Sequence, residues 1–100
     1  MTLRHVVTWK LASEDAAERG AQAAEMAERL NALDGVVPQI RSISAGANTI
    51  YPDANWDVTV VADFDSVADL EAYAVHPAHE EVAVYIRSVV ASRVAVDFEV

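Results

Sequence analysis

An α+β domain of βαββαβ order, the ferredoxin-like arrangement, is the fold class that this chain of 100 residues predicts. The first observation is apolar alternation with a period of two near the start, in the middle and at the end of the chain. The second is a long alanine-rich stretch with apolar residues three and four apart. The third is a second helical region broken by one proline. Right-handed crossovers then place both helical layers on one face of a four-stranded antiparallel sheet and leave the other face bare.

Met1 to Leu11 opens the fold. Leu3, His5, Val7, Trp9 and Leu11 alternate with Arg4, Val6, Thr8 and Lys10, so the strand has one strongly apolar face, and His5 sits on it. A histidine there is either a hydrogen-bonded core residue or part of a site. Ser13 is placed to cap a helix running to about Leu33, with Glu14 and Asp15 at the positive end of its dipole. Ala16, Ala23, Met26, Ala27, Leu30 and Leu33 make the apolar stripe, and Asp15/Arg19 and Glu25/Arg29 stand at ion-pair spacing. Gly35 and Pro38 stop the helix.

Gln39 to Ala47 reads as a weaker edge strand. A turn-rich loop follows to Asn55, long enough to form a rim over a binding site or only a flexible connection. Trp56 to Phe64 returns to period two, with Val58, Val60, Ala62 and Phe64 on one face. Ser66 to Asp69 fits a capping box and starts a short helix through Tyr73 to Val75. After the break at Pro77, Val82, Ala83, Ile86, Val89 and Val90 form a second stripe. Arg93 to Val100 closes the sheet, with Val94, Val96, Phe98 and Val100 opposed to Arg93, Ala95, Asp97 and Glu99. The bare face is expected to carry Val6, Thr8, Thr59, Val61 and Ala95 among charged residues that include Asp57, Arg93, Asp97 and Glu99. A second copy of the sheet would cover it, giving a homodimer.

No linker, repeat or low-complexity segment interrupts this order, and residues 1–100 read as one domain. No apolar run approaches the roughly 20 residues needed to cross a bilayer, and the N-terminus lacks the pattern of a signal peptide, so a soluble, cytoplasmic protein is expected. The chain has no cysteine, which excludes disulfides, thiolate nucleophiles and cysteine-held metal clusters. Its net charge of -9, with seven scattered basic residues, argues against nucleic acid and anionic membranes as partners.

Chemistry concentrates in Tyr73-Ala74-Val75-His76-Pro77-Ala78-His79, where a phenol and two imidazoles fall within one short stretch. Pro77 disfavours the α conformation at His76, ending one helix and opening the next with His79 in its first turn. His79 should turn back toward Tyr73, and His5 should approach from the first strand. His76 is expected outside, as a cap. A neutral imidazole takes a proton near neutral pH and a phenol holds or donates one to a developing oxyanion. His79 is then the candidate base, Tyr73 the acid or orienting group and His5 the third pocket group. Val7, Trp9, Val58 and Val60 are the expected ligand-binding wall. No cofactor is implied. A metal site from His76, His79 and Glu80 lacks a fixed set of ligands.

The run Arg4-His5-Val6-Val7, the Gly46-x-Asn48 turn, the Phe64-Asp65-Ser66 helix entry, Tyr73-x-x-His76-Pro77-x-His79 and the closing Val96-Asp97-Phe98 together resemble the stress-responsive A/B barrel family over essentially the whole chain. The resemblance implies a dimeric α+β barrel whose two sheets meet face to face, with a cavity in each subunit between sheet and helices. In a plant branch of that family, a polyketide is closed by intramolecular aldol condensation with a tyrosine and a histidine that match Tyr73 and His79, and a further pocket histidine matches His5. The wall differs, because Trp9 is larger and Ala23 and Ala24 are smaller than the residues of that branch. Three functions follow as expectations: a cyclase-like enzyme acting on a small carbonyl or aromatic compound, a non-catalytic ligand-binding or structural homodimer, and a cofactor-free monooxygenase suggested by Trp9 and Trp56.

Overall fold

A computed structural model describes residues 1–100. The chain forms β1 (Leu3–Leu11), α1 (Ala16–Asn31), β2 (Ser42–Ala47), β3 (Val58–Phe64), α2 (Val67–Val75), α3 (Pro77–Val89) and β4 (Val90–Glu99). The strands build one four-stranded sheet in the order β2-β3-β1-β4, every neighbour antiparallel, which is the ferredoxin-like order. No helix is long and apolar enough to cross a membrane.

The helices begin where side chains satisfy their free N–H groups. Asp15, and not Ser13, caps α1 by accepting from the Ala17 N–H at 3.0 Å, while Ser13 accepts from the Asp15 N–H. Arg19 is thereby released from the expected pair with Asp15. It donates to the Ser13 carbonyl and lies 3.6 Å from Asp57. Glu25 and Arg29 do pair, at 3.2 Å. α1 stops at Asn31, and turns carry the chain to Gly35, whose φ of 77° suits a residue without Cβ. The Asn31 amide donates to the Ala45 carbonyl and accepts from the Ala45 N–H, both at 2.9 Å, covering part of the exposed edge of β2. Ser66 caps α2 through the Asp69 N–H, and His76 caps α3 through Nδ1, which accepts from the Ala78 N–H at 3.1 Å. His76 has the extended backbone that a residue before proline prefers. Two helices thus meet at a fixed corner.

The core lies between sheet and helices. Val7, Val60, Phe64, Met26 and Leu30 are almost wholly buried there, joined by Tyr73, Val82 and Ile86. The opposite face of the sheet is bare. Arg4 and Asp63 form a two-pronged ion pair on it at 2.9 and 3.0 Å, and hydrogen bonding to the guanidinium holds the Asp63 carboxyl below its usual range.

β4 corrects the sequence reading. The strand starts directly at the end of α3, at Val90 and not Arg93, with a bulge where Leu11 faces Val90 and Lys10 faces Ser92. Because residues directly opposite share a face, the pairs Trp9/Arg93, Val7/Ala95, His5/Asp97 and Leu3/Glu99 put Arg93, Ala95, Asp97 and Glu99 on the helix side. Val94, Val96 and Phe98 stand on the bare face beside Val6 and Val61, at 49%, 59% and 44% exposure. A shift of one residue exchanges the two faces of a strand, and the bulge sets that shift. Asp57 also departs from its expected place, reaching the Leu11 N–H at 2.8 Å and Arg19 on α1.

Candidate functional site

α3 stands off from the β1 and β4 half of the sheet and leaves a cavity of about 300 Å³. Val7, Trp9, Leu30, Val60, Ala83 and Ile86 make its apolar wall. His5, Tyr73, His79, Arg87 and Arg93 supply the polar groups. Its size is at the small end for a ligand pocket, and a few polar groups on an apolar wall are the usual composition of one.

Each polar side chain arrives by a separate local rule. Tyr73 lies on the buried face of α2, with its ring centroid 5.0 Å from that of Phe64. Only 2% of the residue is exposed, and its hydroxyl makes no hydrogen bond within the protein. Burial pushes its pKa up to about 12, so the phenol keeps its proton at neutral pH. His79, in the first turn after Pro77, lies over the same ring at 4.3 Å between centroids. Its Nδ1 is 3.1 Å from the Ala74 carbonyl. A carbonyl only accepts, so Nδ1 carries the proton and Nε2 keeps the lone pair. Burial, chiefly, lowers the His79 pKa; the charges of His5 and Arg87 act in the same direction, against the Ala74 hydrogen bond and Glu80. The ring is neutral at neutral pH.

His5 reaches the cavity from β1, with ring contacts to Phe64 and Tyr73 at 6.4 Å. Its Nδ1 bonds to the Asp97 carboxylate directly across the β1/β4 ladder. A carboxylate only accepts when ionised, so this ring also presents Nε2 as its free nitrogen. Asp97, Arg87 and Arg93 were outside the candidate set read from the sequence. Placing β4's apolar residues toward the helices put Asp97 and Arg93 on the wrong face, although the spacing Arg93-Ala95-Asp97 opposite Trp9-Val7-His5 was there to be paired.

A model of the stress-responsive A/B barrel domain matches residues 3–100. The chain belongs to the stress-responsive A/B barrel family. Among solved structures, this A/B barrel chain is similar to a dimeric protein of unknown function and ferredoxin-like fold from Bacteroides fragilis, at 28% identity and a TM-score of 0.89 over 99% of this chain and 96% of the other. It is similar to a dimeric ferredoxin-like protein of unknown function from Thermobifida fusca, at 28% identity and a TM-score of 0.84 over 100% and 92%. It shares its fold with a hydroxynitrile lyase from Passiflora edulis, at 18% identity and a TM-score of 0.76 over 97% and 91%. No curated protein matches the chain.

The A/B barrel framework brings His5, Tyr73, His79, Val7, Trp9 and Val60 to one cavity. Val58 is not on its wall. It pairs with Trp9 but lies toward β2, buried beside an open depression formed with Gly46, Asn48 and Asn55. Trp56 belongs to that same depression, so the two tryptophans do not share a cavity. The 47–55 loop borders that depression and not the cavity of His5, Tyr73 and His79. It closes on itself through Asn48 and Asn55, which both donate to the Ile50 carbonyl, on the β2 and β3 side of the sheet. His76 is engaged as a cap, and no group of three His, Asp or Glu side chains has metal-holding geometry.

Proposed function

We propose that the cavity binds a small carbonyl or aromatic compound and moves a proton at the carbon beside a carbonyl. His79 is the base, Tyr73 the acid, and His5, oriented by Asp97, the third group. The observation that carries this reading is the unpartnered Tyr73 hydroxyl in an apolar cavity also lined by His5 and His79, each with a free Nε2. His79 Nε2 would take the proton, the C–H electron pair would become an enolate, and its oxygen would accept a hydrogen bond from Tyr73. The proton on His79 is available for return to carbon or oxygen. With a poly-carbonyl substrate the same enolate carbon can attack a second carbonyl of the same molecule, which is the cyclase form of the reaction.

A homodimer through the bare sheet face is part of the proposal. Val6, Val61, Val94, Val96 and Phe98 support it, as do the dimeric relatives from Bacteroides fragilis and Thermobifida fusca. A second reading, a non-catalytic ligand-binding dimer, draws on the partners that His5 and His79 already have in Asp97 and Ala74.

Deuterium exchange at the central carbon of phenyl-substituted 1,3-diketones, followed by proton NMR, separates the two. The catalytic reading expects saturable acceleration that His79→Ala lowers by about 10²- to 10⁴-fold. The rate should fall as pH drops through an apparent pKa below the ordinary imidazole value of about 6.5. Saturable binding with no acceleration over buffer would leave the binder.

A further inference from the structure

The basic residues of this acidic chain are distributed unevenly. Of seven Lys and Arg against sixteen Asp and Glu, Arg4, Arg19, Arg29 and Arg41 each lie within 3.6 Å of a carboxylate. Lys10, Arg87 and Arg93 form no such pair, and two of these three line the one cavity that holds His5, Tyr73 and His79.

Their neighbours explain why. On α3 the positions four and three residues before Arg87 are Ala83 and Val84, neither of them acidic, and the helix ends two residues after it. Arg93 faces Trp9 across the ladder, with Ala91 and Ala95 two residues away along its own strand. The nearest acid on that face of β4, Asp97, is held by His5. The cavity therefore has an apolar body, acid-base groups from both the sheet and the helices, and two lining arginines that form no ion pair within the protein. A net charge of -9 disfavours the approach of anions in general, so an anion that enters here needs a local cause.

We infer that the cavity is selective for small monocarboxylic acids, the carboxylate held by Arg87 and Arg93 and the apolar or aromatic body lying against Val7, Trp9 and Ile86. The assignment rests on the ligand-binding reading above and names its substrate class. Planar guanidinium donors match a carboxylate in two-pronged geometry. A volume of about 300 Å³, near that of ten liquid waters, suits a body the size of a substituted benzene ring or a short acyl chain. The carboxylate anchors one end, and a carbonyl or hydroxyl at the other end reaches Tyr73 and His79.

The test is calorimetric titration near neutral pH with matched acids and primary amides: benzoate and benzamide, salicylate and salicylamide, hexanoate and hexanamide. Wild-type protein is expected to prefer each acid by about tenfold or more, the equivalent of one charge-assisted hydrogen bond. Arg87→Gln and Arg93→Gln, both exposed and expected to fold, should each reduce that ratio, and the double variant should bring it to about one without weakening amide binding. Arg41→Gln, far from the cavity and paired with Asp65, should leave it unchanged. Equal binding of acids and amides by wild type, or an acid preference that survives the double variant, overturns the carboxylate assignment and leaves the cavity as a binding site. Absence of binding by every acid and amide overturns both.

Discussion

Burial of the Tyr73 phenol makes stability depend on pH. Its hydroxyl has no protein partner and its pKa is pushed up to about 12 by burial, against about 10 in an unfolded chain. Between those values the unfolded chain has given up the proton and the folded one has not, so folding stability falls as pH rises from about 10 to about 12. Tyr73→Phe should leave stability near neutral pH almost unchanged and remove an alkaline loss of about 2 to 3 kcal/mol, read from urea unfolding at stepped pH. His79 works from the other side. Its folded pKa is lowered by burial first, so its contribution is complete above about pH 6.5 and is lost as pH falls through the folded value. The residue types and their spacing made Tyr73, His79 and His5 legible. Asp97 was not, because a partner across a ladder depends on register and leaves no local pattern.

The helix corner around Pro77 holds the site at the scale of elements. Ser66 fixes the start of α2 two turns before Tyr73, and His76 and Pro77 fix the start of α3 two residues before His79. Only half of the expected capping box forms: the Ser66 hydroxyl accepts from the Asp69 N–H at 3.1 Å. Ser66→Ala should cost about 1 kcal/mol in urea unfolding. Since the frayed turn precedes the site, ligand affinity should fall by less than that amount. An unchanged stability would mean that packing of Leu70 and Tyr73, and not the cap, sets the position of α2. The starts of α2 and α3 were readable from Ser66 and Pro77, while the cap of α1 lies two residues beyond the expected one, at Asp15 in place of Ser13. The boundary between α3 and β4 was not readable, because Val89 and Val90 suit a helix stripe and a strand equally well.

For the whole molecule, the reversal of β4 strengthens the case for a dimer. The bare face now carries Val94, Val96 and Phe98 where the sequence reading had put Arg93, Asp97 and Glu99. A patch of this kind is expected to be covered by a second copy. Light scattering at micromolar concentration should give twice the chain mass, and Val61→Glu or Val96→Glu should reduce it to one, because like charges would meet in an apolar contact. Ala95→Glu, on the opposite face of the same strand, should leave the dimer intact. A dimer that survives both valine changes would place the interface elsewhere.

The amino-acid sequence by itself determined the order of elements, the cap of α2, the break at Pro77, the inner faces of β1 and β3 and the three acid-base side chains. All of these follow from local rules of period, capping and proline geometry. Only the tertiary structure decided which face β4 turns to the helices, which acid holds His5 and which arginines enter the cavity. For Asp97 and Arg93 the outcome depends on one bulge opposite Lys10 and Leu11, where a one-residue shift exchanges every side chain of β4 between the two faces of the sheet, and for Arg87 it depends on how α3 packs.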